Sequence, residues 1–305
     1  MGSDQGSAQI KAYQNKRIEI IQAISKWLLL WAMEGIPIIM YHALLPREDH
    51  AAHSVHIPVA NFEEQMKWLS ENGYSCVSFH DAVALLQSEG KWGEKTAVLT
   101  FDDGYYSLYQ YALPILNRFK FKATLFLTTR AVGLPSYTFM QGYRENSHPA
   151  HDRPLTWREL EEMRACGWAI EAHGCRHESL PSLKEGEMRQ EISASKQTIE
   201  KHIGQPVRYF AYPFGEYNRS VLSAVKENYK AACSVHTGKV YRGQDLFRLP
   251  RIEINTQDTL DRFARKVSFG YVSELEKRRS QLRNFLYRSV LVKDILQSFF
   301  LWNKS

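Results

Sequence analysis

An acidic pair, Asp102-Asp103, closes the apolar run Ala97-Val98-Leu99-Thr100-Phe101 and is followed at once by Gly104. Adjacent carboxylates repel each other unless a cation sits between them. Neighbouring side chains of an extended strand point to opposite faces, but at a turn both can face one cleft. One carboxylate can then bind a metal ion while the other stays free as a base. Taken alone, the pair is also accounted for by a solvated Asp-Asp-Gly turn. A second apolar run, Trp168 to Ala172, leads into His173-Gly174-Cys175-Arg176-His177, an H-x3-H pair at another strand end. Two imidazoles and one carboxylate are a frequent ligand set for a catalytic zinc, leaving positions open for water and substrate. The chemistry to which this combination points is metal-assisted hydrolysis.

Two further segments extend the set. Phe210-Ala211-Tyr212-Pro213-Phe214-Gly215 lies downstream of the histidines, and Pro37-Ile38-Ile39-Met40-Tyr41-His42 puts a histidine just after the first apolar run. Together with Thr100-Phe101-Asp102-Asp103-Gly104, these motifs resemble those of the polysaccharide deacetylases of the NodB-homology type, the fourth carbohydrate esterase family. The resemblance covers, in order, the core from about Ile36 to Ile254. It is nearest to the biofilm poly-N-acetylglucosamine deacetylase subgroup, in which a Met-Tyr-His motif stands at the N-terminal end and the motif order is circularly shifted.

The resemblance implies a distorted (β/α) barrel and hydrolysis of N-acetyl groups on N-acetylhexosamine units of a polysaccharide or a lipid-linked glycan, with release of acetate. It implies Asp102 as general base and Asp103, His173 and His177 as ligands of one divalent ion. Zinc is the default for such ligands, and nickel or cobalt suits them too. His42 becomes the general acid, and the backbone N–H of Phe214 a donor to the oxyanion. The chain departs from the family pattern at Ala211, where an arginine normally orients the base. Arg251, in Leu249-Pro250-Arg251-Ile252, is the first candidate to replace it and Arg208 the second. A catalytically idle carbohydrate-binding protein of the same fold is the alternative reading. The intact set of Asp102, Asp103, His173, His177 and His42 opposes it, and Ala211 favours it.

Positioning such residues requires strands that end together. From Ile36 to about Ile254, short β-rich runs (Pro37 to Met40, Ala97 to Phe101, Ala123 to Leu127, Ala169 to Ala172, Tyr209 to Tyr212 and Ala231 to Ser234) alternate with helical segments, the pattern of a parallel α/β barrel or sheet. Asn61 and Thr156 are expected as N-caps of helices Asn61 to Glu71 and Thr156 to Ala165, each with an acid three residues on. The stretch Arg130 to Pro154, with Tyr137, Phe139, Tyr143, His148 and His151, is long for a loop and has the length of a lid or binding wall. Sugar rings stack on aromatic faces, so Tyr105, Tyr106, Tyr137 and Trp157 are expected to line a groove, and the resemblance implies Tyr212 and Pro213 as part of its wall.

The deacetylase core is placed at residues 36–270, with an N-terminal extension over 1–35 and a C-terminal one over 271–305. In the first, Ile10, Tyr13, Ile20, Ile24, Trp27, Leu28 and Trp31 recur at helical spacing among lysines and arginines. The last repeats the theme with Leu282, Phe285, Leu286, Leu291, Ile295, Leu296, Phe299 and Trp302. Such stripes dock on the core, or form basic amphipathic helices that rest on a membrane surface.

At 305 residues and 44% hydrophobic content the chain can bury a sizeable core, and its net charge of +6 favours acidic partners without choosing among them. Its four cysteines form no C-x-x-C pair, which fits a reducing compartment without requiring one. No signal peptide or membrane span is evident, so a cytoplasmic or peripheral location is expected, although the resembled subgroup is usually extracytoplasmic. Phosphate-loop, dinucleotide and serine-hydrolase motifs are missing, and a nucleic-acid binder would rest on net charge alone. The oligomeric state is not legible.

Overall fold

Ten strands and seven helices carry the site in a computed structural model that describes residues 35–46, 55–89, 95–138 and 152–279. The chain divides into Met1–Gly35 and Ile36–Ser305, and the elements belong to the second unit. The strands are β1 (Ile38–Tyr41), β2 (Leu44–Leu45), β3 (Ile57–Pro58), β4 (Ser75–Val77), β5 (Thr96–Asp103), β6 (Ala123–Leu127), β7 (Ala169–Ala172), β8 (Tyr209–Ala211), β9 (Ala231–Cys233) and β10 (Ile252–Glu253). The helices are α1 (Val59–Glu71), α2 (Phe79–Gln87), α3 (Leu113–Phe119), α4 (Trp157–Ala165), α5 (Glu185–Ile203), α6 (Arg219–Asn228) and α7 (Leu260–Phe269). Both terminal stripes, and Phe139, Tyr143, His148 and His151, lie outside the described residues. Among the described residues no helix is long and apolar enough to cross a membrane.

The main sheet runs β10-β1-β5-β6-β7-β8-β9 with every pairing parallel, and β4 lies against the first half of β5. It curls until its ends meet. Leu249 bridges Cys233 of β9, Ser234 N–H donates to the Leu249 carbonyl, and a few residues on Ile252 pairs with Ile39 of β1. The single stretch around Leu249 to Glu253 therefore joins the last strand to the first. Parallel strands with helices between them bring all their C-terminal ends to one rim, where functional groups collect.

Side-chain alternation sorts the strands into two faces. Ile39, Tyr41, Leu99, Phe101, Leu125, Leu127, Ala172 and Phe210 point outward into a core shared with the helices. Ile38, Val98, Phe126, Tyr209, Ala211, Ala231 and Cys233 point inward, where Phe79, Ala82, Val83 and Leu86 of α2 join them. Asp102 keeps step with the inward Val98 and Thr100, so the acid belongs to the barrel interior.

Helix starts follow local chemistry. Thr156 caps α4 with a reciprocal capping box to Glu159, as its spacing predicts. Asn61 is not a cap: α1 starts two residues earlier, after Pro58, which has no side-chain cap bond. The reason is Val59, which packs on the core in step with buried Phe62, Met66 and Leu69 and draws the helix back to the end of β3.

Candidate active site

Strand β5 runs buried along its whole length and delivers both acids to the rim. By alternation Asp103 would face outward, but its backbone turns into the left-handed region at φ 73 and Gly104 follows at φ 98. That reversal swings Asp103 to the same side as Asp102. At φ 98 Gly104 has a backbone that side chains with a Cβ rarely adopt, and an added Cβ would also meet Cδ1 of Leu127 at 2.7 Å, so the turn favours glycine.

His173 lies one residue beyond β7, and His177 follows after a loop. Their Nε2 atoms stand 3.8 and 3.5 Å from Oδ1 of Asp103, and the ligand atoms of the three residues all lie within 4.8 Å of one another. Oδ1 of Asp103 is buried without a hydrogen-bond partner among the described residues. The Nδ1–H of His173 donates to the carbonyl of Ala211 at 2.8 Å, which leaves the lone pair on Nε2, aimed at the acids. Burial, only partly opposed by Asp102, pushes the His173 imidazole down to about 4, so it is neutral at neutral pH. An orphaned carboxylate oxygen and a fixed neutral imidazole, with a second imidazole beside them, fit a divalent cation. Among the described residues this is the one such cluster.

Asp102 has a different anchor. Arg251, 1% exposed, donates from Nη1 and Nη2 to its two carboxylate oxygens, both at 2.7 Å, while Nε donates to the Ser234 carbonyl at 3.1 Å. Thr100 Oγ1 lies 3.4 Å from Nη1, between the strand and the guanidinium. Burial raises the pKa of Asp102, but Arg251 and then His173 outweigh it and hold the carboxyl far below the usual carboxylate range. Arg208 stands at the opposite end of the barrel, just before β8, where its N–H donates to Glu171. His42 follows β1 on the inward side. Its Nδ1 is buried without a partner among the described residues.

Phe214 sits at φ 57 in the turn Pro213–Gly215, an exposed residue whose ring lies 4.5 Å from the ring of His177. The other aromatics expected in the groove are placed differently. Tyr105 and Tyr137 are buried and packed on each other at 4.6 Å, with the Tyr105 hydroxyl bonded to Asp103. Tyr212 and Pro213 are buried too, and the Tyr212 hydroxyl donates to the Phe247 carbonyl at 3.0 Å. These rings support the site from behind and offer no open face to a sugar. Trp157 is not brought to the cleft: its ring stacks at 4.1 Å on His202, in the last turn of α5, where that helix returns toward the start of β8. Arg153 covers Tyr106 at 4.0 Å.

Reading the sequence assigned no role to Thr100 and missed Asp152. Thr100 opens the Thr-Phe-Asp-Asp-Gly motif and shares the inward face of β5 with Asp102. Asp152 accepts from the Ser107 N–H at 3.0 Å, straps the segment after the acids, and is marked by no motif.

A curled parallel barrel with an Asp-His-His cluster and a separately anchored acid at its C-terminal rim has the organisation of a metal-site hydrolase. Residues 89–231 match the family model described as polysaccharide deacetylase. The Bacillus subtilis protein YxkH, assigned as a polysaccharide deacetylase, is 29% identical over 254 residues, covering 83% of this chain and 82% of its own length. The poly-beta-1,6-N-acetyl-D-glucosamine N-deacetylase of Staphylococcus aureus is 27% identical over 209 residues, which is 64% of this chain and 67% of the relative. Among solved structures, the Streptococcus pyogenes deacetylase PplD in complex with acetate superposes with a TM-score of 0.66 at 26% identity, covering 76% of this chain and 98% of that one. Over residues 89–231 the chain is similar to the polysaccharide deacetylases, and these relatives extend the similarity across most of the described core. The family match includes Asp102, Asp103, His173, His177 and Phe214, while His42 and Arg251 lie outside it.

Proposed function

We propose that the protein removes N-acetyl groups from N-acetylglucosamine-type units of a polysaccharide, releasing acetate and leaving free amines. The observation that carries this reading is the division of labour between the two acids. Asp103 shares one small space with two imidazoles, while both carboxylate oxygens of Asp102 are engaged by Arg251. The named substrate of the staphylococcal relative supports a β-linked N-acetylglucosamine polymer.

Asp103, His173 and His177 would hold one divalent ion, zinc by ligand type, with nickel and cobalt also suited. When bound, that ion supplies Lewis acidity toward the acetyl carbonyl and activates water. The chain's own groups do the rest. Asp102, ionised and oriented by Arg251, takes the proton of the attacking water. The Phe214 N–H donates to the developing oxyanion, and His42 gives a proton to the departing nitrogen. Proton transfers of this kind are worth roughly 10²–10⁴-fold each.

The test is acetate release from β-1,6-linked N-acetylglucosamine oligomers by zinc-loaded protein, with metal content measured in parallel. Asp102→Asn is expected to keep its metal and lose at least about 10²-fold in turnover, whereas Asp103→Asn loses both. A wild type that releases no acetate, or an Asp103→Asn protein with full metal content, overturns the reading.

A further inference from the structure

The backbone between His173 and His177 is tied on both sides. On one side, the carbonyls of Gly174 and Cys175 accept from the N–H groups of Thr129 and Arg130 at 3.2 and 2.9 Å. On the other, the N–H groups of Cys175 and Arg176 both donate to Oε2 of Glu191, at 2.9 and 3.0 Å. The second carboxylate oxygen, Oε1, accepts from Nε of Arg176 at 2.6 Å. All of these donors to Glu191 belong to the loop that joins the two histidines.

Glu191 is an anomaly in its helix. It lies on the buried face of α5 beside Met188, Ile192, Ser195 and Ile199, where spacing calls for an apolar residue, and it is 4% exposed. A carboxylate in that place is costly unless it is fully paired. The loop, for its part, is not relaxed. Gly174 takes φ 79 at no cost, but His177 has φ 54, a conformation disfavoured for a residue with a Cβ. Such backbone persists only where its surroundings hold it. The ties from Thr129 and Arg130 are main-chain bonds, whereas Glu191 is a side chain that accepts from two of the loop's amides at once.

We propose that Glu191 is a positioning residue of the metal site, its carboxylate fixing the loop so that the rings of His173 and His177 converge on Asp103. The proposal rests on the reading of those three residues as metal ligands. Supporting groups behind metal ligands typically contribute about 10–100-fold to affinity. Glu191 acts one step further back, through the backbone that carries the ligands.

Co²⁺ binding to the metal-free protein, followed by visible absorption and by calorimetry, reads this directly. Glu191→Ala is expected to weaken Co²⁺ affinity by about 10–100-fold and to speed amide exchange at Cys175 and Arg176. Glu191→Gln keeps an oxygen that accepts from both amides, so it is expected to recover much of the loss. The control is Glu200→Gln on the same helix, which alters the contact to Val207 N–H and leaves Co²⁺ affinity unchanged. A folded Glu191→Ala protein with wild-type affinity and absorption overturns the proposal while leaving the metal site standing. If Glu191→Ala does not fold, Glu191→Asp, one methylene shorter, takes its place, and unchanged affinity there is equally fatal. A wild type that binds no Co²⁺ overturns the metal reading and this one with it.

Discussion

Removing Arg251 should cost far more than removing an ordinary salt bridge, and removing its partner as well should give much of that back. The guanidinium and the Asp102 carboxylate are both buried and joined by two 2.7 Å bonds, so neither can turn to water when the other is lost. Breaking such a pair leaves an uncompensated buried charge, at a cost of roughly 3–5 kcal/mol. Arg251→Met strands the carboxylate and Asp102→Asn strands the guanidinium, so each single change should destabilise the metal-free protein by about that amount. In the double variant no stranded charge remains. Replacing a whole buried pair by neutral groups is often close to neutral, so the two single costs should exceed the double cost by at least about 3 kcal/mol, at the upper end of measured couplings.

The pH dependence separates this from a packing defect. In the wild type the depressed Asp102 pKa contributes stability above the ordinary carboxylate range, and the contribution is lost only as pH falls through the depressed value. In Arg251→Met burial acts unopposed by the guanidinium and the carboxyl pKa rises. Its contribution then favours folding at low pH and is lost as pH rises through the new value. The deficit of Arg251→Met should therefore be larger at pH 8 than at pH 5. Urea titrations at both pH values, with chelator present and slopes compared for constancy, measure all four proteins. Costs additive within about 0.5 kcal/mol, or a deficit equal at the two pH values, would refute the reasoning.

Asp152 titrates in the opposite sense. Burial pushes its carboxyl up to about 6, more than the hydrogen bonds from Ser107 and its neighbours offset, so its contribution is present near pH 4 and lost as pH rises through about 6. Asp152→Asn, which keeps an oxygen for the Ser107 N–H, should gain stability relative to wild type by up to about 3 kcal/mol between pH 4 and pH 7. Parallel stability curves for the two proteins would contradict this. At Gly215, φ is 67 and an added Cβ would meet the backbone nitrogen of Val235 at 2.7 Å, whereas Gly133, at φ 79, has open space around it. Gly133→Ala should lose about 1–2 kcal/mol from backbone strain alone, and Gly215→Ala clearly more, with a matching loss of deacetylation because Phe214 shares the turn. Equal shifts in melting temperature would show that the close approach to Val235 is relieved at no cost.

The succession of strands along the chain was legible because apolar runs of four or five residues alternate with helical segments, and three of them end in unusual groups: an acidic pair, an H-x3-H, a Tyr-Pro-Phe-Gly. Strand-end chemistry of that kind is local, and local patterns survive in one dimension. Direction is not. Tyr105, Tyr137 and Tyr212 are aromatic whether they face a sugar or the core, and only packing against segments distant in sequence turns them into the core shared with the helices, where they back the site. The sign of φ at Asp103 is equally hidden, since Asp-Asp-Gly does not say which residue makes the reversal. Once it is known that Asp103 makes it, both acids must face one cleft and the assignment of separate partners follows.

Arg251 puts a cation on Asp102 from outside the motif that contains Ala211. At Ala211 an arginine would start from β8, on the far side of Asp102 from β1. Arg251 instead starts from the stretch that closes the sheet between β9 and β1, and its N–H bonds to the His236 carbonyl at 2.8 Å. Its long side chain enters the interior past Phe126, which lies 5.6 Å from the guanidinium carbon, and reaches Asp102 beside Thr100. A barrel interior is narrow enough for a side chain from any inward position near the rim to reach the same carboxylate. What the chemistry requires is a cation at Asp102, and closure of the sheet makes the strand that supplies it interchangeable.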